Sequence, residues 1–316
     1  MHVTIATWTS WSRTFNMEVE SETMKLGLIG LGKMGGGMAW RLTRAGLEVV
    51  GTDLNPASRQ RAADEGTTVV TGTPELIGRL DTPRVIWVML PAGSATRTVI
   101  GELADLLDPA DLVVDGGNSD FRDAVRHAET LNARGIGFAD VGVSGGQWGR
   151  ENGYGLMVGS SPEQYDVLRP VLDALSNGRQ HSRVGGTGSG HLVKAVHNGV
   201  QYAVMESYAE GYALLSAHPE VDVLAAMQAW QGGSSIRSWL LEQTVAALEE
   251  NPSLDEVSDR VPDSGMGRWT AEQAIKLGVP TPLLTAALHA RFESQSDHRA
   301  ARLLNATRSR VGGQPS

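Results

Sequence analysis

The chain is 316 residues long, with 41% hydrophobic and 20% charged residues and a formal net charge of −9. That length supports two cores, and the acidic balance argues against the basic stripe by which nucleic-acid binders hold phosphate. The absence of cysteine excludes disulfides, thiolate metal sites and cysteine nucleophiles. No apolar run reaches the ~20 residues that a bilayer crossing needs, so the expected setting is cytoplasmic, with no membrane partner and no metal.

Residues 1–23 read as an N-terminal extension. They carry Trp8 and Trp11 but no basic n-region and no continuous apolar stretch, so they make a poor signal peptide. From Met24 the pattern changes. Leu26–Ile29, Glu48–Thr52, Val85–Met89 and Asp111–Val114 are short, Val/Ile/Leu-rich and bounded by Gly, Pro or Asp, as buried parallel strands are. Between them Met34–Ala45, Pro56–Glu65 and Ser94–Leu107 have the length of crossover helices. Further strands are expected at Gly137–Val141, Gly155–Val158 and Gln180–Val184. The fold class is therefore an α/β Rossmann domain over 24–185, closing at a glycine-rich hinge near Gly185–Gly190. Beyond it, His191–Ala217 reads as one long helix, and Asp222–Trp230, Ile236–Glu249, Trp269–Leu277 and Pro282–Ser294 as shorter ones, giving an all-α C-terminal domain over 186–316.

Gly30-Leu31-Gly32-Lys33-Met34-Gly35 follows the first strand and opens the first helix, the context that gives a G-x-G-x-x-G run its meaning. Gly30 permits the tight turn, Gly32 lets backbone approach a pyrophosphate, and Gly35 allows close helix–strand packing. The helix N-terminus, with unpaired N–H groups and a positive dipole end, favours the anion. Asp53 ends the second strand, where a carboxylate accepts from ribose hydroxyls and repels a 2′-phosphate, so the expected cofactor is NAD rather than NADP. Arg59 and Arg61 are close enough in sequence to soften that preference.

Three further motifs carry chemistry: Asp115-Gly-Gly-Asn-Ser119, Gly142-Val-Ser-Gly-Gly146, and Lys194-Ala-Val-His-Asn198 at the start of the long helix. With the Rossmann opening, they resemble the β-hydroxyacid dehydrogenases and within them the 6-phosphogluconate dehydrogenase family. Gln147–Tyr154, Ile236–Leu241 and Gly265–Thr270 are similar to its short, NAD-type decarboxylating branch. Read from the residues, Lys194 and Asn198 share a helix face, His197 follows one turn after Lys194, a desolvated lysine can serve as base, and the Ser144-Gly145-Gly146 loop suits a carboxylate. The resemblance implies that Lys194 is the base for hydroxyl oxidation, with His197 and Asn198 beside it. It places Asn118 between substrate and cofactor, and adds Leu90 to the cofactor pocket. It assigns the phosphate of a sugar-acid phosphate to Tyr202, Arg291 and the tail residue Arg308, and implies a homodimer or higher oligomer.

Two positions depart from the family pattern. Its HNGxEY run, whose Glu supplies a proton, is here His197-Asn-Gly-Val-Gln201-Tyr202, and the tail histidine is Gln314. Glu206, five residues on, falls on another side of the helix. The expected activity is NAD-dependent oxidative decarboxylation of 6-phosphogluconate. A relative oxidising another β-hydroxy acid, and an NAD-binding protein without turnover, are the other two readings. Retention of Lys194, Asn198, Ser144 and Asn118 argues against the last of these.

Overall fold

The computed structural model describes residues 24–178 and 180–312, so the extension 1–23 and Gln314 lie outside the described residues. The first part alternates strictly: β1 (Lys25–Ile29), α1 (Lys33–Arg44), β2 (Glu48–Thr52), α2 (Pro56–Asp64), β3 (Thr68–Val69), α3 (Thr73–Gly78), β4 (Val85–Val88), α4 (Ser94–Leu106), β5 (Leu112–Asp115), α5 (Phe121–Asn132) and β6 (Gly137–Ser144). A short turn and α6 (Gly149–Asn152) lead to β7 (Gly155–Gly159), α7 (Pro162–Ser176) and β8 (His181–Gly185).

All eight strands form one sheet in the order β3-β2-β1-β4-β5-β6-β7-β8. Parallel strands need crossovers, and the helices that supply them cover both faces. One face packs Leu26, Leu28, Trp87 and Val141 beneath α1 and α7 residues such as Met38, Leu42, Leu168 and Leu172. The other packs Ile29, Val50, Ile86 and Val113 beneath Leu76, Ile100, Leu103 and Leu131. Strand order reverses between β1 and β4, whose carboxyl ends therefore open the crevice where doubly wound folds take ligands.

β7 pairs antiparallel with β6, because only the short α6 segment joins them and it is too short for a crossover. At the end of the Gly185–Gly190 segment the chain is closely packed. A Cβ on Gly190 would lie 2.4 Å from Asp140 O and 2.5 Å from Met157 O, so the chain enters its next helix pressed against β6 and β7. The sequence reading passed over β3, α3, α5 and α7.

The helices that follow are α8 (Ser189–Ser216), α9 (Val223–Gln231), α10 (Trp239–Glu250), α11 (Met266–Leu277), α12 (Pro282–Ser294) and α13 (Arg299–Gly312), the last unforeseen from the sequence. The long α8 serves both halves. Its first turns lie on the sheet, and its later turns build a smaller core in which Tyr208, Met227, Leu241, Val245 and Leu248 are buried. The buried Tyr208 hydroxyl donates to Ile236 O at 2.8 Å, tying the loop before α10 to α8.

Candidate active site

The crevice at the end of β1 is shaped by what its glycines do not carry. Gly30 holds φ at +99°, and a Cβ there would meet Met89 O at 2.3 Å; a Cβ on Gly35 would meet Gly30 O at 1.9 Å. Both are fixed as glycine by protein atoms. Gly32 is different: nothing lies within 4 Å of its Cβ direction. It caps α1 without a side-chain hydrogen bond, and no acidic residue occupies the first turn. This leaves an open cradle of N–H groups at a helix N-terminus, which fits a pyrophosphate.

Asp53 Oδ2 accepts from Leu31 N at 2.7 Å and Oδ1 accepts from Asn55 N at 2.7 Å. A carboxylate offers about four lone-pair sites, so acceptor capacity remains for ribose hydroxyls while the side chain is held rigid. The Leu31 side chain is 2% exposed in the core and its N–H is donated to Asp53, which ties the glycine loop to the end of β2. Lys33 is exposed, Met34 half-buried, and Leu90 stands between Gly30 and Gly117 at the end of β4. Arg59 donates to the main-chain oxygens of Asp53 and Leu54, and Arg61 donates to Ser58 Oγ at 3.0 Å. Neither guanidinium is turned toward the Asp53 carboxylate.

The second half of the site rests on α8. Asp140, wholly buried on β6, accepts from Gly188 N at 2.6 Å and His191 N at 2.8 Å. It thereby supplies the cap that Gly188 lacks; burial raises its pKa, against the pull of His191 and these two N–H groups. A Cβ on Gly142 would sit 2.5 Å from Lys194 Cβ and 2.6 Å from Gly190 O. The helix therefore lies directly on the strand, with the Lys194 side chain running over Gly142. Asp140 was not singled out from the sequence, since a lone aspartate in a strand gives no sign that it caps a helix 48 residues away.

Lys194 is 5% exposed, and burial pushes its ammonium down to about 8. Its Nζ lies 3.4 Å from His197 Nδ1, which lies 3.1 Å from Asn198 Oδ1. Burial first, and the lysine charge second, hold the His197 imidazolium below its ordinary pKa. Lys194, His197 and Gln201 fall on one side of α8, at successive steps of three and four residues along it. A cavity of about 340 Å³ brings His197 and Gln201 together with Ser144 from β6, walled by Val200, Val204, Trp239 and Leu240.

Asn118, held at φ +55°, donates from Nδ2 to Val143 O at 3.0 Å and accepts through Oδ1 from Val143 N at 2.8 Å. Its amide braces the strand end that presents Ser144, Gly145 and Gly146. At the far end of the site the Tyr202 hydroxyl shares a 3.1 Å hydrogen bond with Ser264 Oγ, and the Arg291 guanidinium lies 3.6 Å above the Tyr202 ring. Ser264 is thus a member of the cluster. Arg308 does not join it within the chain: it is exposed on α13, with no hydrogen bond to Tyr202 or Arg291 among the described residues.

The comparisons agree with this layout. Residues 25–186 match the family model described as the NAD binding domain of 6-phosphogluconate dehydrogenase, and residues 190–312 match that of its C-terminal domain. The chain is 43% identical over 292 residues to the NAD(+)-dependent, decarboxylating 6-phosphogluconate dehydrogenase of Haloferax volcanii, covering 92% of this chain and 96% of that one. It is 32% identical to the decarboxylating enzyme of Staphylococcus aureus, across 86% of this chain and 62% of the relative. Among solved structures, 6-phosphogluconate dehydrogenase of Plasmodium falciparum superposes with a TM-score of 0.79 at 26% identity, covering 92% of this chain and 65% of that one. Mycobacterium tuberculosis 3-hydroxyisobutyrate dehydrogenase shares the fold, with a TM-score of 0.71 at 23% identity over 87% of this chain and 95% of that one. The chain belongs to the 6-phosphogluconate dehydrogenase family, and is an oxidoreductase that acts on a CH–OH donor with a nicotinamide cofactor.

Proposed function

We propose that the protein carries out NAD-dependent oxidative decarboxylation of 6-phosphogluconate to ribulose 5-phosphate. The observation that carries this reading is Lys194: a buried amine with its pKa brought to about 8, its Nζ 3.4 Å from Nδ1 of His197, which lines a cavity together with Ser144. Near neutral pH such a lysine exists in both protonation states, as a group must that takes a proton and later gives it back.

Gly30, Gly32, Lys33, Met34, Gly35, Asp53 and Leu90 hold NAD, which supplies the hydride acceptor. Ser144 and the Gly145 and Gly146 amides hold the substrate carboxylate. Lys194 Nζ takes the hydroxyl proton as the alcohol becomes a ketone. The protonated lysine then polarises that carbonyl while the β-keto acid loses CO2. Asn198 orients the hydroxyl-bearing carbon beside Lys194. Arg291, stacked on Tyr202 and joined through it to Ser264, holds the phosphate. The cytoplasm is the proposed setting, in keeping with the finding that no helix among the described residues is long and apolar enough to cross a membrane.

The working unit is proposed to be at least a dimer. Along α8 the side chains of Val193, Val196 and Val200 are 37–48% exposed, and Trp239 beside them 49%. An apolar stripe of this kind is the usual face of an association between copies, and a partner's Arg308 would then reach the phosphate.

A second reading has one observation in its favour. Gln201, Val200, Val204, Trp239 and Leu240 make the cavity wall neutral and largely apolar, which suits a less charged β-hydroxy acid. A panel of sugar acids and short hydroxy acids, with NAD and NADP, followed at the nicotinamide absorbance with CO2 trapping, decides between them. The expected result is turnover of 6-phosphogluconate with stoichiometric CO2; preference for another acid overturns the reading.

A further inference from the structure

The reaction proposed above ends with a proton placed on carbon, at the atom that CO2 has left. The residues lining the cavity are Ser144, His197, Val200, Gln201, Val204, Trp239 and Leu240. Only one of these, His197, is ionisable in the neutral range. Gln201 cannot donate as an acid, and its Nε2 is turned toward Met205 Sδ at 3.8 Å.

His197 is also bonded in a way that suits a change of tautomer. Its Nδ1 has two neighbours, Lys194 Nζ at 3.4 Å and Asn198 Oδ1 at 3.1 Å. One ring nitrogen has one site for either a proton or a lone pair. When Lys194 is an ammonium, Nδ1 accepts from it and the ring proton sits on Nε2. When Lys194 is neutral, the proton sits on Nδ1 and is donated to Asn198 Oδ1. Each tautomer has a partner already in place. Among the described residues Nε2 has no protein hydrogen bond, and the ring lines the cavity.

We infer that His197 is the catalytic group that delivers the final proton to carbon, acting as a neutral relay from Lys194 through exchange of its two ring tautomers. The step balances as follows. The enediol left after CO2 departs gives its hydroxyl proton to neutral Lys194 Nζ, and the O–H electron pair becomes the new carbonyl. Lys194 passes a proton to His197 Nδ1. His197 Nε2–H gives its proton to the carbon, using the electron pair of the enediol double bond. No imidazolium and no imidazolate is formed, which is consistent with a ring whose protonated form is disfavoured by burial and by the neighbouring lysine. The ring then returns to the Nε2–H tautomer before the next turnover, by exchange with solvent at the half-buried face. Asn198 Oδ1 has the matching task of receiving Nδ1–H at the end of the step.

This inference rests on the substrate reading given above, and two measurements separate the failure of one from the failure of the other. The first is single-turnover formation of NADH from 6-phosphogluconate, which reports oxidation. The second is exchange of the C1 hydrogen of ribulose 5-phosphate with D2O in the presence of NADH, followed by NMR, which reports carbon protonation alone. In His197→Gln we expect the exchange rate to fall by at least tenfold more than the NADH step, since a positioned acid is worth about 10²–10⁴-fold. Equal losses in the two, meaning a difference below about tenfold, overturn the relay and leave His197 as a group that merely orients Lys194. A wild-type protein that forms no NADH from 6-phosphogluconate overturns the substrate reading itself, before any variant is compared. If His197→Gln fails to fold, the wild type still decides. Its final product-forming phase, measured across mixtures of light and heavy water, should depend on deuterium fraction along a curve, as a step moving several protons requires. A straight line there overturns the relay.

Discussion

The two glycine-rich ends of the site use the same residue for opposite purposes. At the β1–α1 loop, Gly32 faces open space, so the missing side chain leaves room for a ligand. At the β6–α8 contact, Gly142 faces Lys194 Cβ and the Gly190 carbonyl, so the missing side chain leaves room for protein. Under the proposed function, the first region is a mould for the cofactor and the second is a seat for the helix that carries the base. A single added methyl should therefore impair cofactor binding in one case and displace the base in the other. The helix seated on Gly142 is also stressed by its cargo, because Lys194 is buried while it can still ionise.

The largest effect is expected at that cargo. Lys194→Met keeps the shape of the side chain and removes the base, and kcat should fall by about 10²–10⁴-fold while NAD affinity, measured by fluorescence titration, stays within a factor of two to three by the same rough standard. Stability should move the other way. The Lys194 pKa falls from 10.5 in the unfolded chain to about 8 when folded, so between those values the unfolded chain binds more protons and the stability of the wild type rises with pH. Below pH 8 the buried ammonium costs up to about 3 kcal/mol, which methionine avoids. Urea denaturation at pH 7 should find the variant more stable, with the gap closing toward pH 10.5. In the wild type, kcat/KM should climb with pH toward about 8, because the base must be neutral to begin.

Next in size is Gly142→Ala. Its Cβ would lie 2.5 Å from Lys194 Cβ, so the helix must shift. A displacement of about 1 Å at a catalytic group can cost on the order of 10²-fold in rate, and overpacking adds about 1–3 kcal/mol of destabilisation. Gly32→Ala is the counterpart. With space at hand and φ at −65°, it should cost under about 1 kcal/mol in stability and raise KM for NAD by roughly tenfold, about 1.4 kcal/mol of lost binding, leaving kcat nearly unchanged. If both variants damage stability alike, the contrast between mould and seat does not hold.

This contrast also marks how far the sequence could be read. Local signals were sufficient for β1, β2, β4 and β5 and for Gly30–Gly35, because a buried parallel strand bounded by glycine, proline or aspartate leaves its imprint within about ten residues. Lys194 and His197 were legible as a pair because helical spacing is a local property. Asp140 was not, since its partners Gly188 and His191 are brought to it by the sheet. The brace from Asn118 was missed for the same reason: its two bonds to Val143 cross from the loop after β5 to β6. The antiparallel turn of β7 depends on the brevity of α6, and the four residues of α6 carry no pattern of their own.

The smallest effect expected is the choice of cofactor, and it tests whether the mould recognises charge as well as shape. Asp53 ends β2 with one oxygen on Leu31 N and the other on Asn55 N. Its carboxylate is therefore held rigidly where the proposed NAD site would take a ribose 2′ substituent, and neither Arg59 nor Arg61 is turned to neutralise it. A phosphate brought against a rigid carboxylate meets like-charge repulsion that should exceed about 1.4 kcal/mol, hence at least about tenfold in kcat/KM in favour of NAD over NADP. Replacing Asp53 confounds two effects, since the side chain also holds the glycine loop through Leu31 N. Asn and Ser separate them. Asp53→Asn keeps an acceptor for Leu31 N but removes the charge, so it should lose discrimination with only a small rise in KM for NAD. Asp53→Ser gives up both, so it should lose discrimination and weaken NAD binding as the loop loosens. Initial rates with both cofactors on the three proteins are enough: a wild type that uses NADP as efficiently as NAD, or an Asn variant that keeps the full preference, would show that shape alone sets the choice.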